Sequence, residues 1–410
     1  MKTHIIGIKE LHQVRDANQA IRGKDFDELP SIEEAFLTIE DDKIVDFGKM
    51  DDFPTGEMQH AIDAAGGHVF PSYVDSHTHL VFAKTREQEF LYRLQGLSYQ
   101  EIAERGGGIL NSAAALAQMS EDALAEAAWQ RLLEAMHSGT GAIEIKSGYG
   151  LSLESELKML RVIKRLQEAA PIPVKATFLG AHAFPKEYKE KPDAYVDLII
   201  KEMLPNIAKE NLASYIDVFC EKGYFNLEQT LNIIEAGAKY GLKPKVHVNQ
   251  FNILGAIPEI IKAGAVSVDH LEVIDEKDVE ALAHSNCIAT LLPACSFFLG
   301  IPYAPAKELA AAGAAVALAS DFNPGSSPTS NMEFVLSLAC IKQKLLPAQA
   351  FNAVTINAAA AMELEDQLGT IQKGKLANFI ITKPRNSIAQ IPYAFAESSI
   401  SKVFVNGKQQ

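Results

Sequence analysis

Residues 74–83 read VDSHTHLVFA. An apolar run, 69–74, leads into two histidines, His77 and His79. In extended chain, residues two apart project to the same side, so both imidazoles can reach one ion. The same arrangement recurs downstream. His247 closes a run in KVHV (245–248), His270 follows SVD (267–269), and Asp321 follows VALAS (316–320). Metal-ligating side chains at the ends of successive strands are the layout of a (β/α)8 barrel, whose functional groups gather at the C-terminal ends of its strands. Alone, His77 and His79 are more readily two surface histidines. The repeated strand-end placement shifts the balance to a metal site.

Outward from that stretch, eight strand-like runs follow one another, at 69–74, 142–146, 174–179, 216–219, 245–248, 266–268, 288–292 and 316–319. Helical patterns separate them, most plainly over 122–137, with Gly139 as a stop signal. Alternating strand and helix signals predict an α/β chain, and eight units predict a closed TIM-like barrel of ~250 residues. The remaining chain reads as short strands. At the start, 35–39 and 43–47 flank an acidic turn at 40–42. At the end, 377–382 and 401–405 are followed by an Asn406-Gly407 turn. Neither end is long enough for its own core. The expected organisation is therefore a metal-dependent hydrolase barrel over 69–358, beside a small β-sandwich domain built from 1–68 and 359–410.

The 410 residues are 48% apolar and 22% charged, an ordinary globular balance, and carry a net charge of −14. That charge argues against nucleic acid or an anionic membrane as a partner. The longest apolar run, 309–319, is too short to span a bilayer. Cys220, Cys287, Cys295 and Cys340 form no CxxC pair. With no signal-peptide pattern at the N-terminus, free thiols in a reducing cytoplasm are expected.

The strand-end residues fit one chemistry. Three neutral imidazoles, His77, His79 and His247, with the Asp321 carboxylate suit one divalent metal ion per chain, Zn²⁺ or Fe²⁺/Fe³⁺. Such a set leaves room for a water whose pKa the ion lowers, making it a nucleophile. His270 can be read as a fifth ligand, a proton donor or a core histidine; an electrostatic role beside the water is favoured. Asp321 can both touch the metal and accept the water's proton.

At this level of detail the chain resembles the amidohydrolase superfamily and, within it, the imidazolonepropionase family of histidine degradation. The resemblance rests on VDSHTHLVFA (74–83), SYQEIAERGGGI (98–109), EIKSGYGL (144–151), FLGAHAFP (178–185), VHVNQF (246–251), DHLE (269–272) and ALASDFNPGSSPT (317–329). It implies hydrolysis of the ring amide of 4-imidazolone-5-propionate to N-formimidoyl-L-glutamate, and a homodimer. It also implies roles for particular residues. Arg86 would pair with the propionate, since a guanidinium matches a carboxylate in two prongs. Tyr149 would contact the ring, and His182 would donate to the developing oxyanion. Gln250, Asn323, Gly325 and Ser326 would contact substrate. Tyr99 would reach it from beside a hinge at Gly106-Gly107-Gly108. Lys84 stands where the family commonly has glycine, and Pro71-Ser72-Tyr73 replaces the usual start of the first strand.

Two features narrow the chemistry. The fourth run, DVFCE (217–221), holds no lysine to bridge two metals as a carbamate, so one ion is expected, with Lys146 as the rival for that role. Gln250 has no titratable proton and cannot be a general base, which argues against an aminohydrolase of a heterocycle. A barrel turned scaffold would be expected to have lost ligands, and all four are present.

Overall fold

The computed structural model describes residues 2–54, 60–97, 101–102, 105 and 107–410. Tyr99 and Gly106 lie outside the described residues. Eight parallel strands follow in chain order: β1 (Tyr73–Thr78), β2 (Thr140–Lys146), β3 (Val174–Ala181), β4 (Tyr215–Cys220), β5 (Lys243–Val248), β6 (Ser267–His270), β7 (Ile288–Leu291) and β8 (Ala315–Leu318). Each pairs with the next in parallel. The ring closes at its C-terminal rim, just past β8. There the His79 amide donates to the Phe322 carbonyl at 2.8 Å and the Asp321 amide to the His77 carbonyl at 3.0 Å. The closing seam is thus made by the segments that carry the candidate ligands His77, His79 and Asp321.

The helices between strands begin where the sequence supplies caps. Ser120 and Ser152 accept from the third amides of Glu121–His137 and Leu153–Ala169, and Asn226 with Gln229 forms a capping box for Leu227–Ala238. Each turns an apolar stripe inward. Leu157, Leu160 and Ile163 of Leu153–Ala169 are buried against the barrel wall, at about 1.5–3 kcal/mol of transfer free energy per side chain.

Both chain ends meet in one sheet. Its order is Lys408–Gln409, Ile400–Val405, Phe379–Pro384, Gly67–Pro71, Lys2–His12, Ser31–Glu40 and Lys43–Lys49, with Ala61–Asp63 beside Lys2–His12. The sandwich expected from the ends is realised as this continuous mixed sheet, over a core of Ile5, Leu11, Leu37, Val69, Ile381 and Phe404. Asn406 and Gly407 both have positive φ, 48° and 71°, as a tight hairpin turn requires.

The first apolar run divides differently from the sequence expectation. Val69 pairs with Leu11 and Ile381 in the small sheet, and β1 starts at Tyr73. Ser72 is the hinge between them, its amide donating to the Asn378 carbonyl at 3.0 Å. Both halves are fully buried, so hydrophobicity alone carries no mark of the boundary. Among the described residues no helix is long and apolar enough to cross a membrane. All four cysteines are free.

Candidate metal centre

The end of β1 delivers His77 and His79, and the end of β5 delivers His247. Their ring nitrogens converge within 4.8 Å of one another, in buried surroundings. His247 Nε2 lies 3.3 Å from His79 Nε2, and Asp321 Oδ1 lies 3.5 Å from Nε2 of both His77 and His79. Burial first, then the Lys146 charge, drives His77 and His247 well below the ordinary histidine range; burial with His182 does the same to His79. These are neutral imidazoles with lone pairs turned towards one another and towards a carboxylate. His77 Nε2 is buried without a hydrogen-bond partner. A divalent cation satisfies such a set, whereas an empty pocket of facing lone pairs does not.

Two of the three outer nitrogens face a carboxylate, while His79 Nδ1 is buried without a hydrogen-bond partner. His77 Nδ1 donates to Asp269 Oδ2 at 2.6 Å, and His247 Nδ1 sits 2.9 Å from Asp217 Oδ2. Imidazole ligands are aimed by carboxylates in this way. Below them Lys146 touches both carboxylates: its Nζ is 2.8 Å from Asp217 Oδ2 and 3.5 Å from Asp269 Oδ2, and donates to Glu144 Oε1 at 2.7 Å. Glu144 also meets Lys245, which reaches the carbonyls of Ser76 and Ala361. Barrel interiors are usually filled with branched apolar side chains. Here the layer beneath the ligands is ionic.

On the open side, His270 leaves β6 with φ 90° and Asp321 follows β8 with φ 53°. A positive φ is costly for side chains of this kind and is held by the surrounding structure. Burial lowers the His270 pKa, but Glu272, 3.2 Å from Nδ1, together with Asp321 and Asp269, outweighs it and raises the pKa to about 8. Burial pushes Asp321 up to about 6, against the pull of His270 and the Cys295 thiol. Cys295, read from sequence only as a free thiol, is thus part of the site; Gln250 Nε2 reaches its sulfur at 3.6 Å.

The cleft above is lined by Arg86, Arg93, Tyr149, His182, Gln250, Asn323, Gly325 and Ser326, among others. His182 donates from Nδ1 to the Gly148 carbonyl at 3.0 Å. Its pKa falls to about 4, chiefly through burial, so the ring is neutral and Nε2 is an acceptor. Arg86 gives Nε and Nη2 to Glu89 Oε2, at 2.9 and 2.5 Å. Asn323 spends its amide on the turn, with Oδ1 accepting from the Gly325 and Ser326 amides and Nδ2 donating to the Asp321 carbonyl. Arg93, absent from the sequence expectations, donates to the Gly325 carbonyl at 2.6 Å.

A model of the amidohydrolase family matches residues 68–409. The imidazolonepropionase of Christiangramia forsetii is 54% identical over 405 residues, 98% of each chain. That of Flavobacterium johnsoniae is 54% identical over 409 residues, 100% of each, and that of Alkaliphilus metalliredigens is 39% identical over 405 residues. The chain belongs to the amidohydrolase family, among its imidazolonepropionases. Among solved structures, a guanine deaminase of E. coli is similar with a TM-score of 0.73 at 15% identity, covering 100% of this chain and 99% of that one. A variant of atrazine chlorohydrolase from Arthrobacter aurescens, in complex with zinc and atraton, gives 0.69 at 17% identity, covering 99% and 94%. At these identities the likeness is one of fold.

As an amidohydrolase site, this one holds groups that have no role in the motif reading: Asp217 and Asp269 beneath the ligands, Glu272 behind His270, and Cys295 and Arg93 at the cleft. It also places Lys146, read there only as the rival carbamate, in ion pairs with Asp217 and Asp269. Asp217 and Asp269 carried a faint signal, since each is an acid within an apolar strand run, where burial demands a partner. Arg93 carried none; it looks like any polar position on the helix Glu87–Leu94.

Proposed function

We propose that this chain hydrolyses the ring amide of 4-imidazolone-5-propionate, giving N-formimidoyl-L-glutamate, with one Zn²⁺ or Fe²⁺/Fe³⁺ ion held by His77, His79, His247 and Asp321. The reading rests above all on full-length identity of 54% to imidazolonepropionases, joined to the convergent histidine cluster. When bound, the ion supplies Lewis acidity and makes water nucleophilic at neutral pH.

The chain's own residues do the rest. Asp321 accepts the proton of the attacking water. The water oxygen bonds to the ring carbonyl carbon, the adjacent C–N bond breaks, and the carbonyl becomes a carboxylate. The leaving ring nitrogen needs a proton, which His270, paired with Glu272, delivers; the second proton of the water returns to His270 as the carboxylate forms, and Asp321 releases its proton to solvent. The neutral His182 offers a lone pair at Nε2, so it accepts an N–H of the imidazolone ring and thereby orients it. The oxyanion-donor role expected from the resemblance would need a second proton on that ring. Arg86 faces the propionate, Tyr149 covers the ring, and Gln250, Asn323, Gly325 and Ser326 complete the cleft wall. The unpaired thiols suit a reducing compartment, so we place the protein in the cytoplasm. The homodimer carries over from the family resemblance.

The test is a coupled assay. Imidazolonepropionate is generated in situ and its ultraviolet absorbance followed with holoenzyme and with chelator-treated enzyme. Metal-dependent loss of absorbance, with formiminoglutamate appearing, is expected. No loss from folded, metal-loaded protein would remove the substrate assignment and turn attention to other small cyclic amides bearing a carboxylate.

A further inference from the structure

Beneath the ligands, one ammonium and two imidazoles share the same oxygens. Asp269 Oδ2 accepts from His77 Nδ1 at 2.6 Å and lies 3.5 Å from Lys146 Nζ. Asp217 Oδ2 lies 2.9 Å from His247 Nδ1 and 2.8 Å from Lys146 Nζ, while Asp217 Oδ1 accepts the His247 amide at 3.1 Å. Lys146 is fully buried, as are its three carboxylate neighbours. The ammonium donates to Asp217 Oδ2 and to Glu144 Oε1, the latter at 2.7 Å, and meets Asp269 at ion-pair distance. Glu144 is fixed in turn by the Thr177 hydroxyl at 2.6 Å and by Lys245.

Two consequences follow. The layer holds three carboxylates and two ammoniums, a net negative charge directly below a site for a cation. Asp217 and Asp269 each lie between an imidazole and Lys146: Asp269 accepts the His77 N–H, and Asp217 sits against His247 Nδ1 without a hydrogen bond to it. A carboxylate that shares its charge with an ammonium draws less on the imidazole proton, so the imidazole donates more weakly to a metal but is held in a fixed direction. A carbamate on Lys146 would add a charge among buried carboxylates, and the ion pairs leave no neutral amine to form one.

We infer that Lys146 is a positioning residue that acts on the metal centre through Asp217 and Asp269, fixing the aim and donor strength of His247 and His77. The inference rests on the metal reading above. Its test begins by measuring cobalt(II) stoichiometry and affinity in the unaltered protein, so that failure of that reading is seen first. Lys146→Met removes the charge and keeps the length. Loss of the charge strengthens imidazole donation but frees both carboxylates to turn. The loss of aim is expected to outweigh the gain, with cobalt bound roughly tenfold more weakly, the lower end of the effect of losing an outer-shell partner. The visible bands of the bound cobalt should change, and kcat of loaded enzyme should fall with KM little altered. A purely space-filling lysine would lower stability and leave the cobalt spectrum as it was.

Because the single change strands buried carboxylates, the paired variant Lys146→Met with Glu144→Gln restores the charge balance and carries the same expectation. Cobalt affinity within twofold of the unaltered protein, with an unchanged spectrum, in either folded variant overturns the inference.

Discussion

Gly325 has no side chain in a place where Arg86 leaves no room for one. A Cβ there would meet Arg86 Nη1 at 2.1 Å and Cζ at 2.5 Å. The guanidinium is fixed on its other side by Glu89, whose second oxygen accepts the Gly108 amide and the Asn111 side chain. Arg86 therefore cannot retreat without disturbing the glycine loop. Gly325→Ala is expected to push the guanidinium out of register with the substrate carboxylate. KM should rise about tenfold, equivalent to ~1.4 kcal/mol, with kcat within a few-fold and a modest loss of thermal stability from the strained Arg86–Glu89 pair. Steady-state kinetics beside a melting curve would check it. An unchanged KM in a folded variant would detach Arg86 from substrate binding.

At the scale of elements, the helix Leu227–Ala238 follows β4 and packs against β4 and β5, which carry Asp217 and His247. Its start is set by Asn226, whose side chain accepts the Gln229 amide at 2.9 Å while Gln229 returns to the Asn226 amide at 3.2 Å. Asn226→Ala should cost about 1 kcal/mol of stability, a shift of ~2 °C or less for a chain this long, and leave metal binding intact. Loss of cobalt affinity in that variant would mean that the helix start also sets the β4 register. Elements of this kind were legible in the sequence because each repeats a local pattern: an apolar run, a cap, a stop. The convergence of His77, His79 and His247 on one candidate metal site was legible because each lies at the end of such a run. Where one apolar run serves two sheets, as on either side of Ser72, the local pattern has no mark for the boundary. Lys146 and Asp217 lie 71 residues apart and become partners only when the barrel closes. The role of His182 depends on which nitrogen the Gly148 carbonyl engages, 34 residues away. Such facts belong to the closed ring and not to any segment.

At the scale of the whole molecule, the small sheet binds the two chain ends, and a histidine pair is buried in it. His12 Nε2 and His68 Nδ1 are 2.8 Å apart, and Phe70 stacks on His12 with ring centroids at 4.3 Å. His68 Nε2 faces the Arg385 carbonyl at 3.1 Å, so the pair also links the first strand to the C-terminal segment. Burial, then the charge of His68, lowers His12 to about 3, and burial lowers His68 as well. Both are neutral in the folded protein at neutral pH. Below about pH 6.5 the unfolded chain takes up protons that the folded chain refuses, so His12 subtracts stability as pH falls from there towards 3, and His68 acts in the same sense. The limiting slope is ~1.4 kcal/mol per pH unit for each histidine. Asp75, raised to about 7 chiefly by burial, acts in the opposite sense between pH 7 and 4, because the folded form then holds the extra proton. A bare acid-denaturation curve would mix the two, and a difference separates them. His12→Gln keeps a donor towards His68 and cannot titrate. Denaturant midpoints of both proteins between pH 7 and 4 should diverge, with the unaltered protein losing up to ~1.4 kcal/mol more per unit below pH 6.5. Parallel curves would mean that the sheet takes up the His12 proton without opening. The join between the chain ends would then have no part in the acid limit of the fold.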